Sequence, residues 1–431
     1  MASPGLDRRA FARTALAIGG TTALAACIGR DENALDVPSG TDDPEGLPDG
    51  QHEWNDTLSR DDWGNVEPPR HHLFLLLDLV VAGEPTDENR EAVENALRSI
   101  ERAYEWSNEG LVFTIGYTTA YFDRFDTPLH DSIDLPDPEP LATFESPVAD
   151  RPDAGLHLAS DDVAVLLQAE ESLFGETEPE NVHMTDTFED VFERPEDGDT
   201  TRRRTGFIGE GLPAANADVQ GIPSDAPIDD DSPLFMNFKS GFAENQASEA
   251  RVTIEEGPFA GGTTQHLSKI RLNLHQWYEQ DTRHDREALM FCPVHAEEGR
   301  IEGPGHNLGD DSQMDSDCVE TIGEDARQYG RVGHSQKMAA SARTEDGEPL
   351  LLRRDFNTID DGHAGLHFLS VQESIADFVR TREAMNGTTM SGDTGIGQRN
   401  NNGILQYITV TRRGNYLIPP RPHRSLPRPN P

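Results

Sequence analysis

A nearly unbroken apolar run, His72-Leu73-Phe74-Leu75-Leu76-Leu77-Asp78-Leu79-Val80-Val81, constrains the fold of this 431-residue chain more than any other feature. With one carboxylate in its length it cannot face water on either side, so it reads as a strand buried on both faces. A helix follows. Thr86 can cap it, and Val93, Leu97, Ile100 and Tyr104 recur at offsets that place them on one stripe. Residues 111–116 read as a strand and, after a Pro/Asp-rich loop, so do residues 155–159. Ser160 then caps a second helix over 161–174, which packs Val165, Leu166 and Leu173, and a fourth strand is expected near 182–192. Strand, helix, strand, strand, helix, strand is a split βαβ arrangement, an antiparallel sheet with both helices on one face.

The second half repeats the rhythm. Ile270, Leu272 and Leu274 alternate within 267–274, a helix carries Trp277, residues 365–371 form a strand, 373–385 a helix, and 403–410 close the sheet. The expected fold class is therefore α+β: two ferredoxin-like halves with antiparallel sheets, over 70–200 and 201–418, as in the dimeric α+β barrel class. Acidic stretches at 193–201 and 302–325 read as surface loops, and 419–431 as a Pro/Arg-rich tail.

Charge narrows the partners. Lys plus Arg number 36 against 79 Asp plus Glu, a net charge of −43. A phosphate backbone is gripped by clustered cations, and here only Arg202-Arg203-Arg204 forms a short basic run, so nucleic acid is excluded as a partner. Lys239, Lys269 and Lys337 are the only lysines. Such acidity suits a surface kept hydrated in high salt, where screening relieves self-repulsion, and predicts a haloarchaeal source.

The first residues read as an address. Arg8 and Arg9, within Asp7-Arg8-Arg9-Ala10-Phe11, precede an apolar stretch over 15–26 that is too short for a membrane span. This is a twin-arginine export signal. It ends Leu24-Ala25-Ala26-Cys27, a lipoprotein box in which Cys27 becomes the lipidated first residue. The protein is thus expected on the outer face of the cell membrane, lipid-anchored, or outside the cell, with 28–69 an acidic, disordered tether. Two further cysteines remain. Cys292 and Cys318 could pair as a disulfide, stay as thiols, or join His295 and His306 in a loose zinc-type set.

Three segments differ from packing sequence. Gly206-Phe207-Ile208-Gly209-Glu210-Gly211 brings backbone close while presenting one carboxylate; Arg331-Val332-Gly333-His334 holds a histidine in polar loop sequence; Leu350-Leu351-Leu352-Arg353-Arg354-Asp355 places two arginines after an apolar strand end. In this order they resemble the dye-decolorising (Dyp-type) haem peroxidase family, whose members have two ferredoxin-like halves and often leave the cell by the twin-arginine route. Leu111 to Tyr117 with Tyr121-Phe122-Asp123-Arg124, and the closing Leu405 to Val410 with Gly414-Asn415-Tyr416, are similar to the family's other strands.

The resemblance implies one haem b per chain, His334 as axial ligand to the iron, and Gly206, Gly211 and Arg354 as cofactor-binding residues. It implies Glu210 as the proton-shuttling acid and Arg353 as the cation that keeps it ionised. Hydrogen peroxide and an unidentified organic reductant would be the substrates, with Trp277, Tyr278 or Tyr407 as electron relays, although Trp277 sits at a helical core position and reads first as packing. The sequence departs from the family at the acid, which is Glu rather than Asp in a segment one residue longer, and after His334, where Ser335-Gln336-Lys337-Met338-Ala339 replaces an Arg-rich stretch. Those departures keep open a non-catalytic haem- or iron-handling protein, and a surface interaction protein with no cofactor. Homo-oligomerisation is also left open.

Overall fold

The computed structural model describes residues 37–314, 316–387 and 396–431. Arg8, Arg9 and Cys27 lie outside them. The strands are β1 (His71–Leu79), β2 (Val112–Tyr117), β3 (Val148–Ala149), β4 (Ala154–Ser160), β5 (Phe192–Glu193), β6 (Arg203–Phe207), β7 (Thr263–Leu272), β8 (Leu352–Arg353), β9 (Phe356–Thr358), β10 (Gly365–Gln372) and β11 (Ile408–Ile418). They join in one mixed sheet, antiparallel except where short β3 runs beside β11. The order β2-β4-β1-β6-β9-β10-β7-β11 returns to β2, so the sheet closes into an eight-strand barrel.

The closure has two thin seams. Phe207 opposite Asn357 joins β6 to β9, and Leu417 opposite Tyr117 joins β11 to β2. Between the seams, β6-β1-β4-β2 and β11-β7-β10-β9 have the same winding: the first strand of each set in the chain lies beside the third. Phe74, Leu76, Leu267, Phe356, Leu369, Tyr416 and Ile418 form one buried cluster that spans both sets. Their neighbours along the strands, among them Ile270, Leu272, Leu366 and Phe368, belong to a different cluster, as the two-residue strand period requires.

The helices form where the pattern places them. Thr86 and Asn89 make a capping box at the start of the Asp87–Ala103 helix, whose Val93, Leu97 and Ile100 are buried. The Val163–Leu173 helix is capped by Asp162 rather than Ser160. In the second half the Ile375–Asn386 helix packs on β7 and β10 and against a further helix, His334–Ser341. None of the helices is long and apolar enough to cross a membrane, among the described residues.

Several expectations are corrected. The fourth strand of the first set is β6, not 182–192, of which only the final residue enters β5, so a boundary at 200 cuts a strand away from its own sheet. Its Arg203 and Arg204 hid it: both are buried because Glu170 lies 2.7 Å from the first and Asp150 2.6 Å from the second. Residues 37–69 are packed rather than disordered. Trp54, Gln51 and His52 are buried, and Gln51 Nε2 donates to the carbonyls of Ile115 and Pro419. The 419–431 tail also packs, with Arg424 buried against Glu94 and Glu101. The closing strand begins at Ile408, where 403–410 was expected, and the 302–325 stretch buries Leu308 and Cys318. Trp277 lies in the π-helical turn Gln276–Gln280.

Candidate functional site

A large cavity opens between the His334–Ser341 and Ile375–Asn386 helices and the sheet face that carries Ile270, Leu366, Phe368, Ile408 and Val410. It holds about 1660 Å³ of atom-free space, part of it open to solvent at the mouth. Most of the wall is apolar, and the polar exceptions include His334, Arg353 and Asp355. A few convergent polar groups in an apolar cleft are the usual signature of a cofactor or ligand site.

His334 occupies the first turn of its helix because Gly333 lets the chain pass. A Cβ at Gly333 would stand 1.7 Å from the Phe291 carbonyl oxygen, so no other residue fits there without moving backbone. The imidazole Nδ1 is buried with no hydrogen-bond partner among the described residues. Burial, then the charges of Lys337 and Arg353, hold the ring at a pKa of about 3, so it is neutral and free to give a lone pair to a metal.

Arg353 and Asp355 reach the same cavity because residues two apart on an extended segment share a face. Arg353 is fixed by its backbone N–H, which donates to Gln246 Oε1 at 3.0 Å, while its Nε lies 3.4 Å from the same oxygen. Asp355 Oδ1 is buried without a partner among the described residues. Burial raises the Asp355 carboxyl to about 6, against the opposing pull of Arg353 and of a backbone hydrogen bond with Leu369. Sequence reasoning passed over Asp355 although the alternation with Arg353 was there to be read.

The remaining sequence-predicted residues do not join them. Glu210 is exposed and lines no part of the cavity; its carboxylate stands 3.7 Å from His306, and its carbonyl accepts from Arg70 at 3.1 Å. Gly206 lies within β6, where an added Cβ would be 2.1 Å from the Asn357 carbonyl oxygen, so this glycine serves the β6–β9 seam rather than a cofactor. Gly211 has φ +82 and turns the chain into the short Leu212–Ala215 helix. Arg354 points to the other side: its guanidinium lies 3.9 Å from the Trp54 ring centroid, 2.6 Å from the His52 carbonyl oxygen and 3.2 Å from Glu249. It lines a second cavity, with Trp54 and His72, that shares Arg353 and Asp355 with the first.

Two other features of the wall matter. Arg382 and Arg413 both pair with Glu145, so two guanidinium groups share one carboxylate there. The aromatic residues singled out from sequence stand behind the wall: Trp277 Nε1 donates to the Met236 carbonyl, Tyr278 OH to that of Phe235, and Tyr407 packs edge-on against Trp277 at 4.7 Å.

Comparison with solved structures defines the class of fold. A heme-bound variant of DypB from Rhodococcus jostii aligns over 86% of this chain and 97% of its own, with a TM-score of 0.51 and 14% identity. A dye-decolorizing peroxidase from Bacteroides thetaiotaomicron aligns over 85% and 97%, with a TM-score of 0.50 and 13% identity. The fold is thus that of the dye-decolorizing peroxidases. Residues 69–420 match DUF7405, described as a family of unknown function, and the chain belongs to that family. No curated protein matches it.

Proposed function

We propose that the protein is a haem-dependent peroxidase whose two sheet sets are ferredoxin-like halves and whose cavity takes one haem b, with hydrogen peroxide as oxidant and an organic reductant as electron source. The observation that carries this reading is a neutral imidazole, a guanidinium and a carboxyl group brought to one apolar cavity in a Dyp-type fold. The residues present fit the group. His334 supplies a deprotonated ring nitrogen, and the apolar wall suits a porphyrin face. When bound, haem supplies an iron that takes oxidising equivalents from peroxide and passes them to the reductant.

The chain's own groups do the proton work. Above its pKa of about 6 the Asp355 carboxylate can accept a proton from a bound peroxide and return it to the departing oxygen. Arg353 draws the carboxyl toward ionisation and stabilises negative charge that develops beside it. Asp355 therefore takes the role that the resemblance assigned to Glu210. Export through Arg8 and Arg9, anchoring at Cys27, and a reductant met outside the cell belong to the same proposal; enrichment of the protein in a membrane fraction, lost in Cys27→Ser, tests the anchor.

A haem-reconstituted parent should show a Soret band that His334→Ala loses, together with peroxide-dependent dye oxidation. Asp355→Asn should keep the band and slow the peroxide step by about 10²–10⁴-fold, while Glu210→Gln leaves it unchanged. Loss of rate in Glu210→Gln alone would overturn the assignment. One observation favours a second reading, a haem-handling protein without efficient turnover: metal-bound histidines generally donate their second ring N–H to a carboxylate or carbonyl, and His334 Nδ1 has no such partner among the described residues. A Soret band without peroxide-dependent oxidation by the parent would establish it.

A further inference from the structure

Away from the cavity, the two cysteines sequence analysis left open meet one histidine. No disulfide joins Cys292 and Cys318. Their sulfurs instead converge with His295 Nδ1, at 3.1 Å for Cys292 and 3.4 Å for Cys318, and the three donor atoms lie within 4.8 Å of one another. All three residues are fully buried. His306, the fourth member of the loose sequence set, is elsewhere: its Nε2 lies 3.1 Å from the Asp231 carbonyl oxygen.

The spacing is that of a coordination sphere. Tetrahedral zinc, with bonds of about 2.3 Å to sulfur and about 2.0–2.1 Å to nitrogen, holds those atoms roughly 3.5 Å apart, and the two observed edges fall within about half an ångström of that. The local fold supplies the convergence. Cys292 precedes the Pro293–Glu298 helix, and His295 follows one turn on, so both side chains face the Ser316–Glu320 helix that carries Cys318.

The cluster also touches the cavity's support. Gln336, on the His334 helix, donates to the Cys318 carbonyl and to Asp325 Oδ2, both at 2.7 Å, and its N–H reaches the Phe291 carbonyl at 3.2 Å. Gly333 packs against the Cys292 Cα. Whatever fixes Cys292 and Cys318 therefore fixes the first turn that presents His334.

We propose that Cys292, His295 and Cys318 form a buried structural site for a thiophilic d¹⁰ cation, zinc in the first instance, which clamps the segment beneath the His334 helix. These residues supply three of the four tetrahedral positions. The site stands independently of haem, since its ligands line neither cavity. Full-length protein purified under reducing conditions with added zinc, then dialysed, should retain about one zinc per chain. X-ray absorption at the zinc edge should show a shell of two sulfurs with lighter nitrogen or oxygen ligands. The Cys292→Ser/Cys318→Ser double variant should lose zinc at least about tenfold, and zinc should raise the melting temperature of the parent but not of that variant. Parent protein with no retained zinc, a zinc shell without sulfur, or a metal-free intact mass lighter by two hydrogens, the mark of a disulfide, would overturn the proposal. The absorption measurement on the parent decides the matter even if the double variant fails to fold.

Discussion

Asp355 shows how much a single side chain depends on where its neighbours are. A carboxyl buried beside only one guanidinium keeps its proton up to about pH 6, whereas the same group in the unfolded chain loses it near 3.8. Between those values the folded state binds the extra proton, so stability falls as pH rises and the full cost is present above about 6. Asp355→Asn should therefore stabilise the protein at neutral pH, by up to about 3 kcal/mol, and have little effect below pH 3.8. Denaturant midpoints at the two pH values check this; equal shifts would mean that the carboxyl titrates normally. The same replacement removes the proposed proton acceptor, so stability and activity should move in opposite directions, the usual price of a functional site.

At the level of elements, ion pairs between arginine and carboxylate decide structure that apolar patterning does not announce. Strand β6 enters the sheet with Arg203 on Glu170 and Arg204 on Asp150, and the C-terminal tail is held by Arg424 against Glu94 and Glu101 of the Asp87–Ala103 helix. At these sites the planar, multidentate head of arginine offers a buried carboxylate several donors at once. Arg424→Ala would take one guanidinium from Glu101, which keeps Arg421, and from Glu94, which keeps Arg98, and should cost about 2–3 kcal/mol, measured by denaturant unfolding. A loss under 1 kcal/mol would show that the tail is not part of the folded unit. β1, by contrast, starts within a residue of the apolar run His72–Val81 but ends two residues short of it, leaving Val80 exposed, and the Asp87–Ala103 helix carries the expected Thr86 cap.

Across the whole molecule, an excess of negative charge surrounds a closed barrel. At −43 the folded chain repels itself, and the range of that repulsion shrinks from about 10 Å in 0.1 M salt to about 3 Å at 1 M. Moving from 0.1 M to 2 M potassium chloride should raise the melting temperature by at least about 5 °C. A flat or falling dependence would contradict the reading of the surface as adapted to high salt. Barrel closure adds a second whole-molecule property. Two seams of one paired residue each join the strand sets, so the interior cluster of Phe74, Leu267, Phe356 and Tyr416 does much of the joining.

By itself the sequence determined the alternation of strands and helices, the acidity of the surface, and three segments in the right order to bring a Dyp-type fold to mind. These are local or compositional properties, carried by period, capping residues and charge. Only tertiary structure decided which acid shares the cavity with Arg353. Glu210 and Asp355 are both carboxylates near glycine or arginine in sequence, but the turn after β6 carries the first to the surface while strand alternation carries the second into the cavity beside His334. The same holds for residues 37–69 and the tail, whose polar sequence looks solvated until contacts far along the chain satisfy it. A burial that depends on a distant partner leaves no period to read.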